Sequence, residues 1–156
     1  MRALLGLLIL LAAPAIAEEK LQLPRFASLK SGQANMRVGP GENYPILWVY
    51  KKRGMPLEIV DEHQLWRKVR DMDGDEGWIL KNLLTGRRTV MVSADKIVLH
   101  RKPDKTAPVS CNAEHGVVFA VDECRRDWCM IKHESGSGWA EKKYLWGVYP
   151  NELLQD

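Results

Sequence analysis

Cysteine and histidine are scarce in this chain of 156 residues, at three and four. Net charge is scarce too. Lys and Arg number 23 against 20 Asp and Glu, a formal net charge of +3. A balance this close to neutral does not mark a nucleic-acid binder, and no nucleic-acid partner is expected. Basic clusters do occur at Lys51-Lys52-Arg53, Arg67-Lys68-Val69-Arg70, Arg87-Arg88, Arg101-Lys102 and Arg125-Arg126. Acids interleave with them closely, so they read as solvated strand ends and turns. Attraction to an anionic surface such as the cell wall is the alternative, and it would weaken with salt. Long apolar runs are also missing, except Leu4 to Leu11, which Pro14 ends before it could span a bilayer. With the positive start Met1-Arg2 and the small residues Ala15-Ile16-Ala17, that run predicts a secretory signal peptide cleaved after Ala17. No Cys sits at the cleavage point, which excludes the lipid-anchored type of export signal. The expected mature protein is periplasmic or secreted, with no stable membrane insertion after signal cleavage.

What the chain does have is a motif that occurs twice. It reads Gly54-Met55-Pro56-Leu57-Glu58-Ile59-Val60, then Trp66, then Gly77-Trp78-Ile79. It returns as Gly116-Val117-Val118-Phe119-Ala120-Val121, then Trp128, then Gly138-Trp139-Ala140. The Gly-to-Trp spacing is the same in both copies, and the second Trp is displaced by one residue. A repeat at this period means two small modules of one kind. Recurring Gly, apolar alternation and Trp suit short strands joined by tight turns, not helices.

The domain organisation follows. Residues 1–17 are the signal peptide and 18–30 a leader arm whose Leu21, Leu23, Phe26 and Leu29 are irregularly spaced. The first module spans 31–88, the second 89–150, and 151–156 is a tail. In the first, Ala34 to Val38 is a strand and Gly39-Pro40-Gly41-Glu42-Asn43-Tyr44-Pro45 a loop dense in turn formers. Ile46 to Tyr50 returns as a strand, and Leu57 through Val69 alternates as a half-buried hairpin. Thr89-Val90-Met91-Val92, apolar and β-branched, pairs as a strand between the modules. The second module's counterpart of the long loop, Arg101 to Val109, lacks glycines. Five or six short strands per module predict an all-β fold of small antiparallel barrels.

Asn35-Met36-Arg37-Val38-Gly39-Pro40-Gly41, the Trp66 hairpin, Gly77-Trp78-Ile79 and Leu83-Leu84, in that order, resemble the bacterial SH3-like (SH3b) domain. The second module keeps the Gly116 strand, the Trp128 hairpin and Gly138-Trp139 through Tyr144-Leu145, but has no Arg-x-Gly-Pro in its first loop. The opening Leu23 to Lys30 and the ending Leu145-Trp146-Gly147-Val148-Tyr149-Pro150 look like an exported tandem SH3-like family of Gram-negative bacteria. The resemblance implies two tandem five-stranded barrels and a binding role, with no defined ligand. Fold does not fix function, so the site has to be argued separately.

In SH3 domains generally, the hairpin Trp and the aromatic after the distal-turn Gly line one groove. Carried over by position, this implies Trp66 and Trp78 in the first module and Trp128 and Trp139 in the second, with Tyr44 as a third wall. Such a groove suits an extended peptide or a peptidoglycan stem. The bland alternative is that these Trp residues cap the barrels and pack between modules. Alternation puts Leu65, Arg67 and Val69 on one face and Trp66, Lys68 and Arg70 on the other. Leu65 and Val69 read as the core face, which predicts an outward Trp66. Arg37, outward with Asn35, either holds a ligand carboxylate or bonds loop carbonyls around Gly39-Pro40-Gly41.

Export favours a disulfide, and Cys124 and Cys129 flank the hairpin turn Arg125-Arg126-Asp127-Trp128, within bridging reach. Cys111 is then left over. A zinc site from Cys111, His115, Cys124 and Cys129 has the right residue types but no compact finger spacing. A hydrolytic dyad of Cys111 with His115 or His133 lacks the helix that normally carries such a nucleophile. His63 and His100 read as surface residues. Asp71-Met72-Asp73-Gly74-Asp75-Glu76 lacks the full spacing of a calcium loop and reads as a capped turn. No metal and no cofactor are expected. The expected function is non-enzymatic binding of peptidoglycan or of an extended periplasmic protein or peptide segment. The alternatives are a structural accessory subunit using the inter-module surface and, more remotely, a cysteine-dependent wall hydrolase.

Overall fold

The computed structural model describes residues 21–155, so the signal peptide expected over residues 1–17 lies outside the described residues. Among those described, no helix is long and apolar enough to cross a membrane. Fourteen strands alternate with tight turns and two short 3-10 turns, Lys81–Leu83 and Lys142–Tyr144.

The first seven strands are β1 (Arg25–Leu29), β2 (Ala34–Arg37), β3 (Ile46–Tyr50), β4 (Pro56–His63), β5 (Trp66–Arg70), β6 (Glu76–Leu80) and β7 (Leu84–Thr85). The second seven are β8 (Thr89–Val92), β9 (Lys96–His100), β10 (Val109–Glu114), β11 (Val118–Cys124), β12 (Trp128–His133), β13 (Gly136–Glu141) and β14 (Leu145–Trp146). The two antiparallel sheets run β3-β2-β6-β5-β4-β1-β7 and β10-β9-β13-β12-β11-β8-β14, so the second is the first with every label raised by seven. The repeat therefore extends to every strand pairing. It also gives the leader a role: β1 pairs with β4 and β7, as β8 pairs with β11 and β14.

Each module encloses its own core, because inward residues at period two meet across a curled sheet. Leu29, Met36, Leu57, Ile59, Val69 and Ile79 fill the first, and Val90, Val92, Leu99, Phe119, Ile131 and Leu145 the second. The paired Gly-Trp motif has a steric origin. A Cβ on Gly77 would stand 2.7 Å from the Arg37 carbonyl, and one on Gly138 would stand 2.9 Å from that of His100. Only glycine lets the two strands approach this closely.

The modules are packed against each other. The ring of Phe26, from β1, meets Trp146 edge-on at 5.1 Å between centroids and Tyr149 at 4.7 Å. Trp146 donates its indole N–H to the Pro56 carbonyl at 3.1 Å, and the Tyr149 hydroxyl donates to Glu58 at 2.8 Å. Thr89 donates to the Gly54 carbonyl at 2.6 Å and shares a hydrogen bond with Ser28. The opening and ending segments singled out in the sequence thus meet in one interface, and they cover the inter-module surface with their own residues. Burial and the Glu58 carboxylate push the Tyr149 hydroxyl well above its ordinary pKa.

Candidate functional site

A cleft of about 340 Å³ opens on the outer face of the first module, lined by Gln33, Ala34, Asn35, Arg37, Glu42, Trp66, Leu80 and Leu83. Trp66 comes from the start of β5 and pairs with Leu80 of β6, while Asn35 and Arg37 project from β2. These four share the face turned away from the core. The long loop contributes Glu42.

The structure corrects the expected placement of Leu65 and the expected exposure of Trp66. Leu65 lies in the two-residue turn closing the hairpin, beside Gln64 at φ 49°, and is 57 % exposed. It is not on the core face. Trp66 keeps its place on the outer face, outside the core cluster, yet is only 8 % exposed.

Arg37 braces the loop: its guanidinium donates to the Tyr44 carbonyl at 2.8 Å. The Tyr44 ring in turn lies over Gly39, where a Cβ would come within 2.5 Å of it. Tyr44 and Trp78 do not line the cleft. Tyr44 covers the loop glycines, and Trp78 is half-buried with its ring 6.5 Å from His63. Of the four first-module residues expected at the groove, Trp66, Trp78, Tyr44 and Arg37, the cleft is lined by Trp66 and Arg37. Gln33 was missed, although the period of β2 through Arg37 and Asn35 reaches it. Glu42 left no comparable signal, since a loop has no period.

In the second module His100 stands where Arg37 stands in the first. Arg37 pairs with Trp78 and His100 with Trp139. His100 also reproduces the brace, donating from Nδ1 to the Ala107 carbonyl at 2.9 Å. It is half-buried, with its ring 5.8 Å from Trp128, and so is not the surface residue that its sequence context suggests. Trp139 is buried beneath the Arg125 guanidinium, 4.8 Å from the ring centroid. The missing Arg-x-Gly-Pro is thus replaced in function by a histidine that needs no glycine loop.

A wider opening of about 570 Å³ near the linker is lined by Arg25, Arg67, Lys81, Arg88 and apolar residues including Phe26 and Leu84. Three of its cations are already engaged, Arg25 and Arg67 with Glu62 and Arg88 with Glu152. The Asp71 turn is internally capped. Its carboxylate accepts the N–H groups of Asp73 and Asp75 at 3.0 and 2.9 Å and the Tyr50 hydroxyl at 2.8 Å.

Cys124 and Cys129 form a disulfide, and Cys111 is free and half-buried. The bridge uses two of the four groups in the zinc alternative. Neither histidine of the candidate dyad is bonded to Cys111: His115 is 3.2 Å from the Ser93 carbonyl and His133 2.7 Å from the Ser135 hydroxyl.

Compared with known proteins, the chain matches the family described as bacterial SH3 domain twice, over residues 30–86 and 93–147. No curated protein matches. Among solved structures it is similar to NlpC2 from Trichomonas vaginalis, at 13 % identity and a TM-score of 0.35, over 81 % of this chain and 49 % of that one. It is likewise similar to NlpC1 from the same organism, at 14 % identity and a TM-score of 0.34, over 85 % of this chain and 50 % of that one. The chain spans about half the length of each, and likenesses this distant carry no argument about activity.

Proposed function

The chain belongs to the bacterial SH3 domain family, and on that footing we propose that it is a non-enzymatic binding protein of the cell envelope. Its ligand is a peptidoglycan stem peptide or a similar extended peptide, held in the Trp66 cleft. The observation that carries this reading is the mixture of chemistries around one indole. Trp66, Leu80 and Leu83 offer an apolar floor, and the amides of Gln33 and Asn35 can pair with a peptide backbone. Arg37 spends one donor on the loop and keeps others for a carboxylate, while Glu42 suits an amino group. A stem peptide presents all of these groups along a short extended chain. The disulfide fits the oxidising compartment in which such a ligand is met.

Co-sedimentation of the mature protein with purified sacculi tests this. Asn35→Ala with Glu42→Ala removes polar cleft groups without opening the core. It is expected to weaken sedimentation about tenfold, the loss of roughly 1.4 kcal/mol, at both low and high salt. Trp66→Ala is expected to abolish it, with the circular dichroism spectrum checked because the ring is nearly buried. Sedimentation untouched by these variants, or abolished by salt alone, overturns the cleft reading. It would leave the accessory-subunit alternative, in which the cleft residues are dispensable. Wall cleavage that disappears in Cys111→Ser would overturn the non-enzymatic reading.

A further inference from the structure

Strand β3 ends its sheet, with β2 on one side and, among the described residues, no strand on the other. Ile46, Leu47, Trp48 and Val49 are each 40–54 % exposed, so both faces of the strand meet solvent. Val38 and Tyr44 beside it are exposed as well. Edge strands are ordinarily blunted by charge, proline or brevity. Between Pro45 and Lys51, β3 has neither charge nor proline, and its one irregularity is a bulge at Leu47 against β2.

The protein contains its own control. Strand β10 holds the same place at the edge of the second sheet. It reads Val109-Ser110-Cys111-Asn112-Ala113-Glu114, half polar where β3 is Ile-Leu-Trp-Val-Tyr. The fold therefore does not require an apolar strand here.

We propose that β3 is a self-association surface, on which a second copy of this chain pairs antiparallel to extend the sheet. The sequence of the strand favours that occupant. A two-fold axis through Trp48 sets Leu47 opposite Val49 of the second copy and Trp48 opposite Trp48, so apolar side chains meet on both faces. The same register brings the basic turn Lys51-Lys52-Arg53 beside the other copy's Glu42 to Pro45 loop. Parallel pairing would instead stack one basic turn on the other. A lipid surface would leave the strand's outer N–H and C=O groups unmet, whereas a second strand satisfies them. The patch buries on the order of 1,000 Å² across two copies, the low end for a specific dimer.

Sedimentation velocity of the mature chain from about 1 to 500 µM is expected to show a monomer–dimer equilibrium. Leu47→Lys with Val49→Lys should shift its midpoint at least tenfold higher, while Val109→Lys on β10 leaves it unchanged. Because a charged edge could also disturb folding, a second readout is independent of it. In a Cys111→Ser background, Trp48→Cys should form a disulfide-linked dimer at least ten times faster than Val98→Cys, an exposed position on β9. A monomer at every concentration overturns the proposal, as does a dimer that survives the β3 lysines or equal crosslinking at the two positions. A monomer whose β3 resonances move on adding an extended apolar peptide or anionic vesicles would likewise overturn it, in favour of that occupant.

Discussion

Cys124 and Cys129 face each other directly across the β11–β12 hairpin, with Cα atoms 4.1 Å apart and both side chains buried. In the first module the same cross-strand position, 62 residues earlier, is held by Glu62 and Arg67 as an ion pair of 3.1 Å. One fold thus closes the same hairpin with two chemistries. The ion pair lies partly in water and is reinforced by Arg25, while the disulfide is shut away from it.

Thiol titration reads this difference. Mature protein in denaturant without reductant should show one reactive thiol, Cys111, and three after reduction. Replacing both Cys124 and Cys129 by Ala should cost about 2 kcal/mol in a denaturant melt, little because the closed loop is short. Three thiols before reduction would exclude the bridge.

Gly147 is wedged between β8 of its own module and Pro56 of the first. Its φ is 113°, and an added Cβ would lie 2.5 Å from the Thr89 carbonyl and 3.0 Å from Pro56. Gly147→Ala should cost about 2 kcal/mol or more and split one calorimetric transition into two, since the modules lose their shared seam. Gly32→Ala, with open space around it, should stay within about 0.5 kcal/mol. A Gly147→Ala protein with an unchanged single transition would show that the seam does not couple the modules.

Gly39 and Tyr44 should be coupled. Gly39→Ala drives a methyl group into the Tyr44 ring and should destabilise by about 1–2 kcal/mol. Tyr44→Ala removes the ring, so the double variant should recover most of that loss. Additive losses would mean that the loop, and not the ring contact, requires glycine.

Glu152 sets an acid limit on the C-terminal end. Burial pushes its carboxyl up, but hydrogen bonds from Arg88 and the Tyr149 N–H, with the Lys142 charge, outweigh that and hold it below the usual carboxylate range. A depressed folded pKa contributes stability above the unfolded value, roughly pH 4.3, and loses it as pH falls through the folded one. Melting temperature should therefore drop more steeply below about pH 4.3 in the wild type than in Glu152→Gln. The variant should itself be about 1–2 kcal/mol less stable at neutral pH. Parallel pH profiles would remove Glu152 from the account.

The sequence alone was enough for the class of fold, the two modules and the Cys124–Cys129 pair. Each of these is a local or periodic property: spacing of Gly and Trp, alternation along a strand, two cysteines flanking one turn. What it misjudged depends on where a turn ends. Leu65 continues the alternation of Val69 in the sequence, but the hairpin turns at Gln64-Leu65 and the period restarts at Trp66.

Only the tertiary structure decided which outward residues meet. Gln33, Arg37, Glu42 and Trp66 reach one cleft because β2 crosses beside β6 at Gly77, a contact between residues some forty positions apart. His100 replaces Arg37 because a backbone position, and not a motif, needs a donor aimed at a loop carbonyl. The exposure of β3 is likewise invisible beforehand. An apolar strand reads as core in any sequence, and only its place at the edge of the sheet leaves Ile46 to Val49 facing water.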